Sequence, residues 1–486
     1  MTAGAAPPGA ASAELDPSHF FWLDTSIVQP RYEKAGAALV AVRDTLQREP
    51  SLCAGVDEFL DHYRVLAELD PADFDAVWRD PYAYFWTRLA FELTRAARRG
   101  APVPALARAY ATAQGCGDAK AALAMHLREL QRLVLGACLR AGRDIAFRTP
   151  LEVRLPLALP GTRSSLVGNR RVAILGCTAG RLHVRGEQSP APLLACPAIE
   201  VQGLELLLQP HVHNLPGLGF YREESDEGFE VQTKHAHVLE AALRILARHV
   251  PESFAQLGRF VRMISLQTRD PETYTNVTHS DLPGTVLVTV VQHPCYVADA
   301  LIHELHHHRL FCLEEVGPFL AGPRDDLEAE ARYLSPWRAD LRPLHGILHG
   351  AYVFIATTRF WLQLLAASEE VDEPTHLLAR SRVVGGVLQL GIALHQLARH
   401  ARLTSFGAAL VRQLESDLAN LRARVAAEGL SPETPFVRCH LDGTIEIAES
   451  PDARGPWQIR EQLRTHVRRF APPEQAEDIL RNALQP

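Results

Sequence analysis

The chain contains no C-x-x-C pair, although it has 8 cysteines in 486 residues. Cys53, Cys116, Cys138, Cys177, Cys196, Cys295, Cys312 and Cys439 stand singly. That scatter excludes a zinc site built on paired thiolates and argues against a disulfide framework. Positive charge is in short supply too. Lys and Arg number 50 against 57 Asp and Glu, a formal net charge of -7, so no nucleic-acid partner is expected. Aromatic residues make up 7% and form no stacking platform, which disfavours single-strand binding. No apolar run reads as long enough to cross a membrane. The opening stretch, MTAGAAPPGAASAELDPSHFF, lacks the basic start and apolar core of a secretory signal. These absences point to a soluble, cytoplasmic protein with reduced thiols.

The hydrophobic pattern divides the chain into five parts. Residues 1–14 read as a flexible tail rich in Ala, Gly and Pro. Residues 15–150 carry apolar positions at three- and four-residue spacing, as in VDEFLDHYRVLAELD, and form a helical domain. Proline and glycine in RTPLEVRLPLALPGTRSS mark a boundary, and 151–295 mixes strands with helices. RRVAILGCTAGRLHVRG reads as two strands about a turn, and GTVLVTVVQ as a buried strand. Residues 296–430 turn helical again and hold the metal motif. In 431–486, Asp442-Gly443 marks a hairpin within FVRCHLDGTIEIAES, and short helices follow. The expected class is α+β, predominantly helical, with a small central sheet.

The stretch ADALIHELHHHRLFCLEE (298–315) contains His303, Glu304 and His307 as H-E-x-x-H. Four residues is close to one helical turn, so the two imidazoles share a face and suit one ion. Leu301, Leu305 and Cys312 supply an apolar back. His306 and His308 point elsewhere and read as supporting or surface groups. The motif also arises by chance, but a merely solvated helix would not divide its faces in this way.

A zinc peptidase needs a third protein ligand. The H-x-x-G-x-x-H extension fails, because Leu310 and Leu313 occupy the glycine and histidine positions. A carboxylate from Asp326, Glu328 or Glu330 has acceptable spacing, although DDLEAEAR also reads as a solvated helix face. The stretch YLSPWRADLRPLHGILHGAYVF (333–354) is richer. It offers His349 in an apolar helix between Gly346 and Gly350, and two arginines, Arg338 and Arg342. A peptidase has no evident need for such a pair of guanidinium groups, whereas an enzyme that binds 2-oxoglutarate must hold its distal carboxylate. Surface ion pairing is the competing explanation.

With LIHELHH, SPWRADLRPLHGILHGAYVF and SDLPGTVLVTV together, the sequence resembles the HExxH-type peptide β-hydroxylases of ribosomal-peptide biosynthesis. The resemblance covers mainly residues 275–430. It implies dependence on Fe(II), 2-oxoglutarate and dioxygen, and a ribosomal precursor peptide as substrate. His303, His307 and His349 would be the metal ligands, with Glu328 as the carboxylate alternative for the third. Arg338 or Arg342 would clamp 2-oxoglutarate. Glu304, the general base of a peptidase, would instead orient a ligand histidine or water. A Zn(II) metallopeptidase acting on a peptide is the alternative enzyme, and an inactive peptide-binding protein the alternative outside catalysis.

Overall fold

The computed structural model describes residues 29–168, 170–187, 193–210, 227–268, 276–322, 332–367, 371–451 and 455–482. The tail expected over 1–14 and the acidic candidates Asp326, Glu328 and Glu330 lie outside the described residues.

Two Asp-Pro steps organise the first part of the chain. Asp70 and Asp80 each cap a helix whose first residue is proline, accepting from Ala72 N and Tyr82 N at 2.9 Å. Proline lacks the N–H that a first-turn position would leave unsatisfied, and aspartate supplies the acceptor. The other oxygen of Asp80 accepts from Gly161 N at 2.9 Å, tying this cap to the turn between the short strands Leu157–Ala158 and Ser164–Leu166. Seven helices, from Gln29–Arg48 to Leu130–Ala141, surround Trp86, Phe59 and Leu93. Strands Ile145–Arg154, Arg171–Thr178 and Arg181–Val184 form an antiparallel sheet against them. Its apolar side chains belong to the same core, which extends through Val184.

The second core begins at Ile199, so the break between cores falls inside the mixed region. Its sheet runs in the order Thr285–Thr289, Met263–Gln267, Leu204–Leu208, Ala198–Val201. The first three strands are parallel, and the last is antiparallel to its neighbour. Every residue of Thr285–Thr289 is buried, as a β-branched strand covered on both faces should be. This strand leads within a few residues into the helix Pro294–Val316, which carries the HExxH motif. Helix Leu344–Ala366 packs beside it, Glu373–His400 and Ser405–Ala427 pack on Leu344–Ala366, and the hairpin Val437–Cys439/Ile445–Ile447 with two final helices closes the lobe. The fold is predominantly helical with small sheets, as the sequence suggests.

One expectation needs correcting. Helix Glu373–His400 is long and apolar enough by composition to cross a membrane. Here 72% of that apolar window is buried inside the second core, so protein packing accounts for its composition.

Candidate metal centre

The HExxH helix is buried on almost every side, with Leu301, Leu305 and Cys312 in the core. His303 and His307 retain some exposure, and their Nε2 atoms lie 3.2 Å apart. Two nitrogens bound to one ion at about 2.1 Å are separated by roughly 3.0–3.4 Å for octahedral to tetrahedral angles. The pair therefore already has the spacing of two ligands on one ion. Aromatic walls hold it. Phe354 meets His303 edge-on at 5.2 Å, and Phe311 stacks against His307 at 6.1 Å. Trp337 lies flat on Phe354 at 4.4 Å, and it fits because residue 350 is glycine. A Cβ there would come within 2.4 Å of the Trp337 ring.

Helix Leu344–Ala366 brings a second pair of imidazoles to the same place. His345 and His349 are one turn apart, with ring centres 4.2 Å from each other. The His349 ring lies 5.9 Å from His307. Both Nε2 atoms approach Glu314 Oε1, at 2.5 Å for His345 and 3.0 Å for His349. Among the described residues, Glu314, His345 and His349 form the group whose ligand atoms all lie within 4.8 Å of one another, close enough to hold a metal ion. Burial works against ionisation of Glu314, but His349 and His345 outweigh it and hold the carboxyl well below its ordinary range.

His349 thus joins two sets, adjacent to the HExxH pair through His307 and bonded to Glu314 at its Nε2. Glu314 and His345 were missed from the sequence. Their signal was nevertheless present. Glu314 stands eleven residues after His303, about three helical turns and so on the same face, and HGILHG repeats the four-residue histidine spacing.

The neighbouring histidines have other work. His306 Nδ1 meets Ile302 O at 2.8 Å and His308 Nε2 meets Thr285 O at 3.0 Å. Both are buried, which corrects the surface reading, because each backbone carbonyl satisfies one ring nitrogen inside the core. Burial lowers His303 to about 4, with Arg382 adding to the effect. Burial followed by His303 and His349 puts His307 well below its ordinary value. Both imidazoles are neutral near neutral pH, the form that binds a metal.

Glu304 is buried, and its Oε2 has no hydrogen-bond partner among the described residues. Burial raises it to about 8, with the Thr278 hydroxyl pulling the other way. Arg338 and Arg342 both grip Asp340, at 3.1 and 2.9 Å. Their side chains are 61% and 36% exposed. Arg382, unremarked in the sequence, is the cation that His303 feels. Asp299 anchors it at 3.1 Å, and its guanidinium lies over the Tyr296 ring at 4.7 Å.

No family model matches the chain, and comparison with the curated proteins returns no match.

Proposed function

We propose that the protein is an Fe(II)- and 2-oxoglutarate-dependent oxygenase that hydroxylates a side-chain β-carbon of a ribosomally made precursor peptide. The observation carrying this reading is the His303–His307 pair lying beside the separate Glu314, His345 and His349 group, with the His307 and His349 rings 5.9 Å apart. Two histidines and one carboxylate, with further positions left open, are the donor set of non-haem iron(II) oxygenases. His303 and His307 would hold the ion with His349 as third ligand, a three-histidine set that departs from that pattern, and Glu314, bonded to His349 Nε2, would orient it. In the variant of this reading with a carboxylate ligand, Glu314 takes the place considered for Glu328. Bound iron supplies dioxygen activation coupled to oxidation of 2-oxoglutarate to succinate and carbon dioxide.

The side chains contribute position and exclusion of water. Phe311, Phe354 and Trp337 keep one wall of the site apolar, which protects a reactive centre from solvent. A guanidinium must hold the distal carboxylate of 2-oxoglutarate. Arg338 and Arg342 have the right chemistry, but both pair with Asp340 on the surface, the competing explanation, so either would have to leave Asp340 to take that role. Arg382 is the third candidate, because its charge reaches His303.

A Zn(II) peptidase remains the second reading, favoured by the 3.2 Å His303–His307 pair with the adjacent Glu304. One experiment separates them. Anaerobically iron-loaded protein receives 2-oxoglutarate, dioxygen and candidate precursor peptides, and the products are analysed by mass. The oxygenase yields succinate and a peptide heavier by one oxygen atom. A peptide shortened by hydrolysis, formed without dioxygen and supported by zinc, establishes the peptidase.

A further inference from the structure

Behind the HExxH helix, on the side opposite the metal face, lies a cavity of about 360 Å³. His308 and Cys312 of that helix line it, together with residues of the first helix and of the segment Gly258–Arg262. Four arginines line it: Arg31, Arg79, Arg259 and Arg262. None of the described lining residues is acidic, in a chain whose net charge is -7.

The charges are poorly balanced from within. Arg31 is 2% exposed, lies over the Tyr84 ring at 4.6 Å, and leaves its buried Nε without a partner. Arg259 and Arg262 form no ion pair with a described residue. Arg79 pairs with Asp75 at 2.5 Å, but both are roughly half exposed, where such a pair contributes little. Two carboxylates outside the lining act on these arginines, Glu315 on Arg31 and Asp80 on Arg262, and each is also engaged elsewhere. Glu315 takes Lys34 at 3.0 Å, and Asp80 accepts two backbone N–H groups. Arg31 alone is buried, Arg259 is exposed and Arg262 half-buried, so an anion at the cavity would act chiefly on the desolvated Arg31 and draw the solvated guanidinium groups around it.

We infer that this cavity is a binding site for a small, multiply charged oxyanion bearing phosphate or several carboxylate groups. Arginine forks match both groups in bidentate geometry. The volume is at the small end of ordinary ligand pockets, and Tyr32 and Phe260 in the lining offer faces for an apolar part of the ligand. The site is separate from the metal centre. On the HExxH helix, His308 and Cys312 stand roughly 100–180° around the axis from His303 and His307. The inference does not depend on the reaction proposed above.

Calorimetric titration of the full-length protein with pyrophosphate, with citrate, and with sodium chloride at matched ionic strength tests it. Saturable binding of either polyanion, at least tenfold weaker in Arg262→Gln and weaker again in Arg259→Gln/Arg262→Gln, is the expected result. Tighter binding of pyrophosphate identifies phosphate as the source chemistry, and tighter binding of citrate the carboxylates. Arg262 is chosen because it is less buried than Arg31, and Arg171→Gln on the exposed face of the first sheet serves as the unchanged control. Polyanion binding indistinguishable from the chloride control, or unaltered in the double variant, overturns the site. Binding of an acidic peptide but of neither small anion overturns it equally.

Discussion

The two lobes bury histidine in contrasting ways. In the helical lobe His126 is 1% exposed, stacked on Trp86 at 5.4 Å and edge-on to Tyr110 at 5.0 Å. Its Nε2 meets Trp86 O at 2.8 Å. Among the described residues, no second imidazole stacks on it. In the metal lobe His303, His307, His349 and His345 form a row across two helices, with neighbouring ring centres 4.9, 5.9 and 4.2 Å apart. Burial lowers both His126 and His303 to about 4. A perturbed histidine is therefore no guide to function by itself. What separates the lobes is whether imidazoles face one another across a gap of ligand size.

The largest expected effect breaks this contrast at its centre. His303→Ala or His307→Ala abolishes stoichiometric metal binding, measured by metal analysis of anaerobically loaded protein, whereas His126→Gln retains it. One equivalent still bound tightly by both alanine variants would place the site elsewhere.

Next come the groups that share His349. Glu314→Ala and His349→Ala each weaken metal binding by about 10–100-fold or more, the range for lost ligands and their orienting partners. Glu304→Gln keeps the metal and loses turnover only mildly. A loss of about a hundredfold or more with metal retained instead marks Glu304 as a general base.

His126 gives a stability effect in place of a binding one. Its folded value of about 4 lies below the ordinary 6.5, so the fold prefers the neutral ring. The contribution is complete above pH 6.5 and is lost as pH falls through about 4. It amounts to about 3 kcal/mol for a fully buried group. Urea unfolding from pH 7 to pH 4 should show a shallower decline in His126→Gln than in the native sequence. Parallel curves would remove the histidine from the account.

Gly350→Ala tests the wall beside His303. The added methyl meets the Trp337 ring, and overpacking of this kind costs about 1–3 kcal/mol. A change in thermal midpoint accompanied by weaker metal binding is expected, since Trp337 backs Phe354 against His303. The smallest stability effect belongs to Arg338→Gln. Its ion pair with Asp340 is exposed, so stability should change by less than about 1 kcal/mol. If Arg338 is the co-substrate clamp, the 2-oxoglutarate requirement rises all the same. An unchanged requirement here and in Arg342→Gln transfers the role to Arg382.

Local patterns read well from the sequence and joint placements did not. The HExxH helix, the strand at 285–289 and the hairpin about Asp442-Gly443 all follow from residue spacing and turn chemistry within one segment. Glu314 and His345 acquire meaning only when Pro294–Val316 and Leu344–Ala366 pack together. The spacing within each helix is visible in the sequence, but the pairing of the helices is a tertiary fact. Arg382 was missed for the same reason, since it approaches His303 from Glu373–His400. Whether His308 was a supporting or a surface group stayed open in the sequence because its carbonyl partner, Thr285, belongs to a strand 23 residues earlier.

The first helix reaches across to the last turn of the HExxH helix, so the lobe that carries the histidine cluster does not end at its own core. Lys34 binds the main-chain oxygen of Glu315 at 2.6 Å as well as its carboxylate at 3.0 Å. Its target is the residue immediately after Glu314. A fragment starting at the second core would keep His303 and His307 but release the end of the helix that presents Glu314. The two lobes have separate cores and yet are not interchangeable parts. Shuffling the N-terminal lobe for another would remove the Lys34 contact from the turn that carries Glu314.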